Sequence, residues 1–183
     1  MIRNSSTARA GEILSLLDQG LSVFPVTRGE KVPLVQWSEY QHRLPAPELV
    51  KAWLRAWPEC SWAVATGPVS RLTVVDVDPR HGGDQTMAQY PSLPATVLTG
   101  SGGTHVYFRV NEHFASRTNT LPGVDVKGVG GLVVVPPSVH ASGQPYRWVG
   151  SPLTDVPEWL RPVLRPAEGI GLHQATAQPG ACS

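Results

Sequence analysis

The chain has 183 residues, 41% apolar and 16% charged, with a formal net charge of +1. That length allows one sizeable core or two small lobes, and this composition excludes a disordered chain and a strongly basic protein that coats nucleic acid. Two cysteines, Cys60 and Cys182, exclude a disulfide framework and a cysteine-based zinc site and suit a reducing cytosol.

Residues 6–19 read as a helix, with Ala10, Ile13, Leu14 and Leu17 at helical spacing, caps among Ser5 to Thr7, and Gly20 as the stop. "LSVFPV" at 21–26 reads as a short buried strand. A polar, proline-interrupted loop carrying Lys31 and Trp37 follows. A second helix spans 46–57, with Leu49, Val50, Trp53, Leu54 and Trp57 inward; Trp53 and Trp57 read as core, not as base-stacking platforms. From residue 62 the pattern turns to strands, at 62–66, 72–78, 96–99, 104–110, 124–127, 132–135 and 146–149, separated by glycine and proline clusters. Short helices fit 83–90 and 155–163. The fold class is α+β, with helices first and a mainly antiparallel sheet after them. Residues 6–166 form the expected domain, and 167–183 read as a flexible tail or linker. No run approaches a membrane span and the N-terminus lacks an apolar signal core, so we expect a cytoplasmic protein with no membrane partner.

Three stretches carry chemistry. In "LTVVDVDPRHGGDQT", Asp76 and Asp78 project from one face of a strand and Val75 and Val77 from the other. Two carboxylates about 5 Å apart repel by roughly 3 kcal/mol at an effective dielectric of about 20, which a hard divalent cation with oxygen ligands would offset. In "LTGSGGTHVYFRV", Gly100, Gly102 and Gly103 surround Ser101. The stretch reads as a hairpin turn or as a nest of amides for an anion, with His105 placed as a donor beside it. In "GVDVKGVGGLVVVPPSVHASG", Asp125 and Lys127 share one face of a short strand, either as a surface ion pair or as a third carboxylate and a cation for the same site. Three carboxylates can hold the two ions of a phosphoryl-transfer centre, and His105, Lys127 and the 100–103 loop would offer positive groups and amides to a triphosphate.

These ordered motifs, with the early "FPVTRGEKVPLVQW" segment, resemble the bifunctional primase–polymerase domain of the archaeo-eukaryotic primase superfamily over residues 11–165. The resemblance implies a two-lobed primase–polymerase fold, with an RRM-like catalytic sheet and a small α/β N-terminal lobe. It implies Asp76, Asp78 and Asp125 as catalytic ligands of two Mg2+ or Mn2+ ions, and His105 on the phosphates of an incoming NTP or dNTP. Gly102, Gly103 and Thr104 would line the same pocket, with Ser101 beside them, and Lys127 would reach the triphosphate. Ser138 and His140 join as second-tier nucleotide contacts. Single-stranded DNA would be the template, with a helicase domain or subunit as a further partner. Two features depart from the pattern: Gly103 stands where many relatives carry serine two residues before the histidine, and there is no zinc-binding stem.

The sequence therefore points to a DNA-template-directed nucleotidyltransferase. A non-catalytic single-strand-binding initiator domain and a metal-dependent nuclease stay open as alternatives. A rolling-circle nicking enzyme would need a His-x-His pair, and none occurs. His81 is set aside because nitrogen ligands are unusual for magnesium, and Lys31 reads equally as a ligand contact or a solvated lysine.

Overall fold

In the computed structural model, which describes residues 2–150 and 153–167, nine strands form two antiparallel sheets among the described residues. In chain order these are β1 (Ser22–Val26), β2 (Ser61–Ala65), β3 (Leu72–Val77), β4 (Val97–Leu98), β5 (Thr104–Arg109), β6 (Arg117–Leu121), β7 (Val124–Lys127), β8 (Leu132–Val135) and β9 (Arg147–Trp148). Four α-helices accompany them: α1 (Ile2–Asp18), α2 (Pro47–Ala56), α3 (Gly83–Met87) and α4 (Arg161–Leu164). The fold is α+β, as its sequence pattern implies. Among the described residues no helix is long and apolar enough to cross a membrane.

The smaller sheet has the order β1-β2-β8. Every residue of β1 and β2 is buried, and beyond the leading Ser22 and Ser61 both strands are apolar throughout. Ile13, Leu16 and Leu17 of α1 and Val50 and Trp53 of α2 share its core, and Tyr40 meets Trp53 edge-on at 5.2 Å between ring centres. Strand β8 follows the Asp125 strand in sequence yet belongs to this sheet, pairing Leu132–Val135 with Trp62–Ala65. The chain thus crosses from one sheet to the other at Gly128–Gly131.

The larger sheet has the order β6-β7-β3-β5-β4-β9. Its back face carries Val75, Val77, Val106, Phe108, Val124 and Val126, covered by Leu160 and Leu164. Its front face is divided. Leu72, Val74, Val97 and Tyr107 merge with the core of the small sheet, whereas Asp76 continues the same face of β3 where the two sheets part. That division creates a cleft.

The local differences from the sequence reading have simple causes. Helix α1 begins at Ile2, so Ser5 to Thr7 lie inside it and not at its start. The helix expected at 155–163 is a 3-10 turn at Glu158–Leu160 followed by α4, because Pro157 and Pro162 restrict the chain. Strand β6 was absent from the reading. Its sequence RTNTL has no alternation, and Arg117, Thr118 and Asn119 are exposed at a sheet edge with an irregular register. Of the tail expected at 167–183, all but Ala167 lies outside the described residues.

Candidate active site

The site starts with the register of the large sheet. Asp76 in β3 lies directly opposite Asp125 in β7 on one side and His105 in β5 on the other. Residues directly opposite in antiparallel strands project from the same face, so these three form one row across the three central strands. Alternation keeps the row polar on the front and apolar behind: in β7, Val124 and Val126 are buried, while Asp125 and Lys127 are half-buried towards the cleft.

Asp78 lies just beyond the strand, and two backbone contacts hold its turn beside β7. Its N–H donates to Gly123 O at 2.9 Å, and Gly83 packs so closely on Gly123 that a Cβ at residue 83 would lie 2.3 Å from Gly123 O. Glycine is required twice in this contact, since Gly123 also has φ +69. Asp76, Asp78, His105, Asp125 and Lys127 therefore line one cavity of about 650 Å³, whose far wall is Leu132–Val134 of the small sheet.

The carboxylates differ in their surroundings. Asp125 accepts from Lys127 Nζ and from the Asn119 N–H, both at 2.8 Å. Asp78 accepts from Arg80 Nε at 3.0 Å and Nη2 at 2.7 Å, with His81 Nδ1 at 3.1 Å. The Arg80 guanidinium holds the Asp78 carboxyl well below the usual carboxylate range. Asp76 has the lightest engagement, with His105 Nε2 3.6 Å from its Oδ1.

His105 is 2% exposed. It is flanked by the rings of Tyr107 and Tyr146, each 6.1 Å away between centres, and its Nδ1 has no hydrogen-bond partner. Burial pushes its pKa down to about 4, against the opposing pull of Asp76. The imidazole is neutral at physiological pH, so it offers a hydrogen bond and no positive charge.

The glycine loop has a structural task. The Gly102 and Gly103 amides donate to Thr99 O and Thr99 Oγ1, and Ser101 Oγ lies 2.9 Å from that same hydroxyl. A Cβ at Gly103 would meet Val77 O at 2.4 Å. Gly102 and Thr104 line a separate cavity with Val77 and Val106, on the opposite side of the sheet from the acidic row. The loop is a tight turn between β4 and β5 whose amides at 102 and 103 are already occupied, and residues 101–104 do not line the acidic cleft. The buried Ser138 hydroxyl accepts the Trp62 N–H at 2.7 Å and so supports β2. His140 is bound to Ser142 and stands edge-on to Tyr146 at 6.2 Å, outside the lining of the cleft. Burial, then the nearby Lys31 and Arg80, lowers its pKa.

The cleft also contains residues that the motifs did not select. Lys31, at φ 63, reaches it from the loop after β1; His81 enters beside Asp78; Ser116, just before β6, and Thr118 and Asn119 of β6 form its rim. Lys31 was visible as a candidate. The β6 residues carried no signal beyond a polar run before "GVDVKG".

The family model for the N-terminal domain of bifunctional DNA primase/polymerases matches residues 13–159. The chain belongs to this family. A search of curated proteins found no match. In this primase/polymerase domain the three aspartates and Lys127 converge on a single cleft, while Ser101, Gly102, Gly103, Thr104, Ser138 and His140 lie around the turns that support it. Family membership makes it a domain of the primase/polymerase nucleotidyltransferase type.

The donor set suits a hard cation in kind, being carboxylate oxygen throughout. Among the described residues, however, no three His, Cys, Asp or Glu side chains are gathered closely enough to hold an ion as they stand. A cation would compete with Lys127 for Asp125 and with Arg80 and His81 for Asp78.

Proposed function

We propose that this domain joins NTPs or dNTPs on a single-stranded DNA template, as a primase/polymerase whose Asp76, Asp78 and Asp125 hold two Mg2+ or Mn2+ ions. One observation carries the reading: Asp125, Asp76 and His105 stand side by side on adjacent strands, in a cleft that Asp78 and Lys127 also line. The fit lies in oxygen donors facing a common space, with Asp76 in no ion pair with a lysine or arginine among the described residues.

In the reaction, a primer 3′ hydroxyl, or that of an initiating nucleotide, attacks the α-phosphate. The bond from the α-phosphorus to the bridging oxygen breaks, and pyrophosphate leaves. Bound divalent ions supply a lowered hydroxyl pKa and charge neutralisation of the leaving group. The protein supplies position. The aspartates act as oxygen ligands and not as proton donors. Lys127, 2.8 Å from Asp125, is placed to exchange that carboxylate for a phosphate oxygen. Neutral His105 offers one hydrogen bond from the cleft floor. The wall at Leu132–Val134 narrows the space open to water.

The test is incorporation of labelled dNTP and NTP, in separate reactions, on a single-stranded template with and without primer, in Mg2+ or Mn2+. Wild type should incorporate, and Asp76→Asn and Asp125→Asn should each lose at least about a hundredfold in rate while remaining folded. Incorporation retained in both variants refutes the ligand assignment. The ion pairs at Asp78 and Asp125 favour a second reading, a single-strand-binding domain without chemistry. It predicts DNA binding with no incorporation by wild type under any of these conditions. Cleavage of DNA without a triphosphate requirement would indicate a nuclease.

A further inference from the structure

Behind the acidic cleft, across the edge strand β6, lies a second cavity of about 680 Å³. Its lining runs along β6 and onto Pro162, Val163 and Arg165, and among the described residues contains no carboxylate. Its two charges are Arg117 and Arg165. Both are exposed, and among the described residues neither makes an ion pair, whereas Arg28, Arg43, Arg80 and Arg161 are each matched to an acid. The two cavities share Ser116, Thr118 and Asn119. A chain leaving the cleft can thus cross the sheet edge over hydroxyl and amide side chains and arrive at the guanidinium groups of Arg117 and Arg165.

The register explains why the groove lies behind. Arg117 is opposite Val126, whose side chain belongs to the back-face core, so Arg117 projects away from Asp125 towards α4. An edge strand needs polar residues to resist pairing with another chain, and Thr118 to Thr120 alone would meet that need. Two arginines over a groove that holds no acid among the described residues add a different feature. Guanidinium groups match phosphate in geometry, and neutral hydroxyls match phosphate and sugar without discriminating between bases.

We propose that the groove along β6, with Arg117 and Arg165, is a track for the phosphodiester backbone of a single-stranded polynucleotide passing to or from the cleft. The proposal rests on the reading of the cleft as a template-directed site, because that reading puts a strand at the β6 rim. Its test is independent of catalysis.

The measurement is fluorescence anisotropy of a labelled oligo(dT), and of an oligo(U) of equal length, in EDTA without nucleotide across a salt series. Each lost phosphate contact should lower the slope of log K against log salt by about 0.7. Arg117→Ala/Arg165→Ala should therefore weaken binding on the order of tenfold or more and lower the slope by about 1.4 for both oligomers. Arg117→Lys/Arg165→Lys should keep most of the slope, which separates charge from misfolding. Arg55→Ala, on an exposed face of α2, should leave it unchanged. Affinity and slope unchanged in the alanine pair would overturn the track. So would a loss confined to the nucleotide KM on preformed primer–template, which would assign the arginines to the triphosphate. If wild type binds neither oligomer, the track falls. If binding behaves as stated but incorporation is absent, the track stands and the catalytic reading fails.

Discussion

Asp76→Asn should make the metal-free protein more stable and the metal-loaded protein relatively less so. Asp76 faces Asp125 directly across β3 and β7, where opposed Cβ atoms are about 5 Å apart. Two carboxylates roughly 6 Å apart repel by about 3 kcal/mol at an effective dielectric of about 20. Their side chains are 21% and 25% exposed, and Lys127 already neutralises part of Asp125. Water and that lysine reduce the repulsion to about 1 kcal/mol. Removing one charge with an isosteric amide should return that amount, raising Tm in EDTA by about 2–4 °C for a domain of this size. Divalent ions at a hundred times their Kd should stabilise wild type by about 2.7 kcal/mol, and the variant should lose most of that gain. Differential scanning fluorimetry in EDTA and in saturating Mn2+ therefore gives curves whose order inverts between the two buffers. A variant less stable than wild type in EDTA, or one with an unchanged metal-dependent gain, refutes the reasoning.

Four further outcomes follow from the same geometry. Lys127→Met should raise the nucleotide KM about tenfold, equivalent to about 1.4 kcal/mol, with kcat changed much less; equal losses in both would place the lysine in the transition state. His105→Ala removes a buried ring packed between Tyr107 and Tyr146, so chemical denaturation should show a loss of about 2–4 kcal/mol even without nucleotide, and a stability-neutral result would contradict its burial. Gly123→Ala forces a Cβ to within 2.3 Å of Gly83 N at a left-handed φ and should cost about 3 kcal/mol while displacing Asp78, read as a fall in both Tm and incorporation. Burial pushes the Cys60 thiol from 9.0 up to about 11, so the folded chain keeps a proton that the unfolded chain releases. Stability from this group is full below pH 9 and lost as pH rises towards 11. Cys60→Ala should remove up to about 3 kcal/mol of that decline in urea titrations, and native Cys60 should alkylate far more slowly than an unfolded control.

The legible part of the fold was local. Alternation separated Asp76 and Asp78 from Val75 and Val77, and Asp125 and Lys127 from Val124 and Val126, and each division is observed. Helical spacing identified the Trp53 face of α2 as core. Strand β6 could not be read, because a polar edge strand buries neither face and leaves no periodic trace. The glycine cluster marks close backbone approach, and Gly103 approaches Val77 O.

By itself, then, the chain's sequence determined which residues share a strand face and how polar that face is, since a period of two needs only near neighbours. Tertiary structure decided the register that sets Asp125, Asp76 and His105 in a row, a match between segments dozens of residues apart that depends on how β7, β3 and β5 pair. It also decided that β8 closes the cleft from the other sheet, that Lys127 and Arg80 occupy two of the carboxylates, and that His105 is neutral. Charge state and accessibility depend on what surrounds a group in space, and those surroundings come from distant parts of the chain.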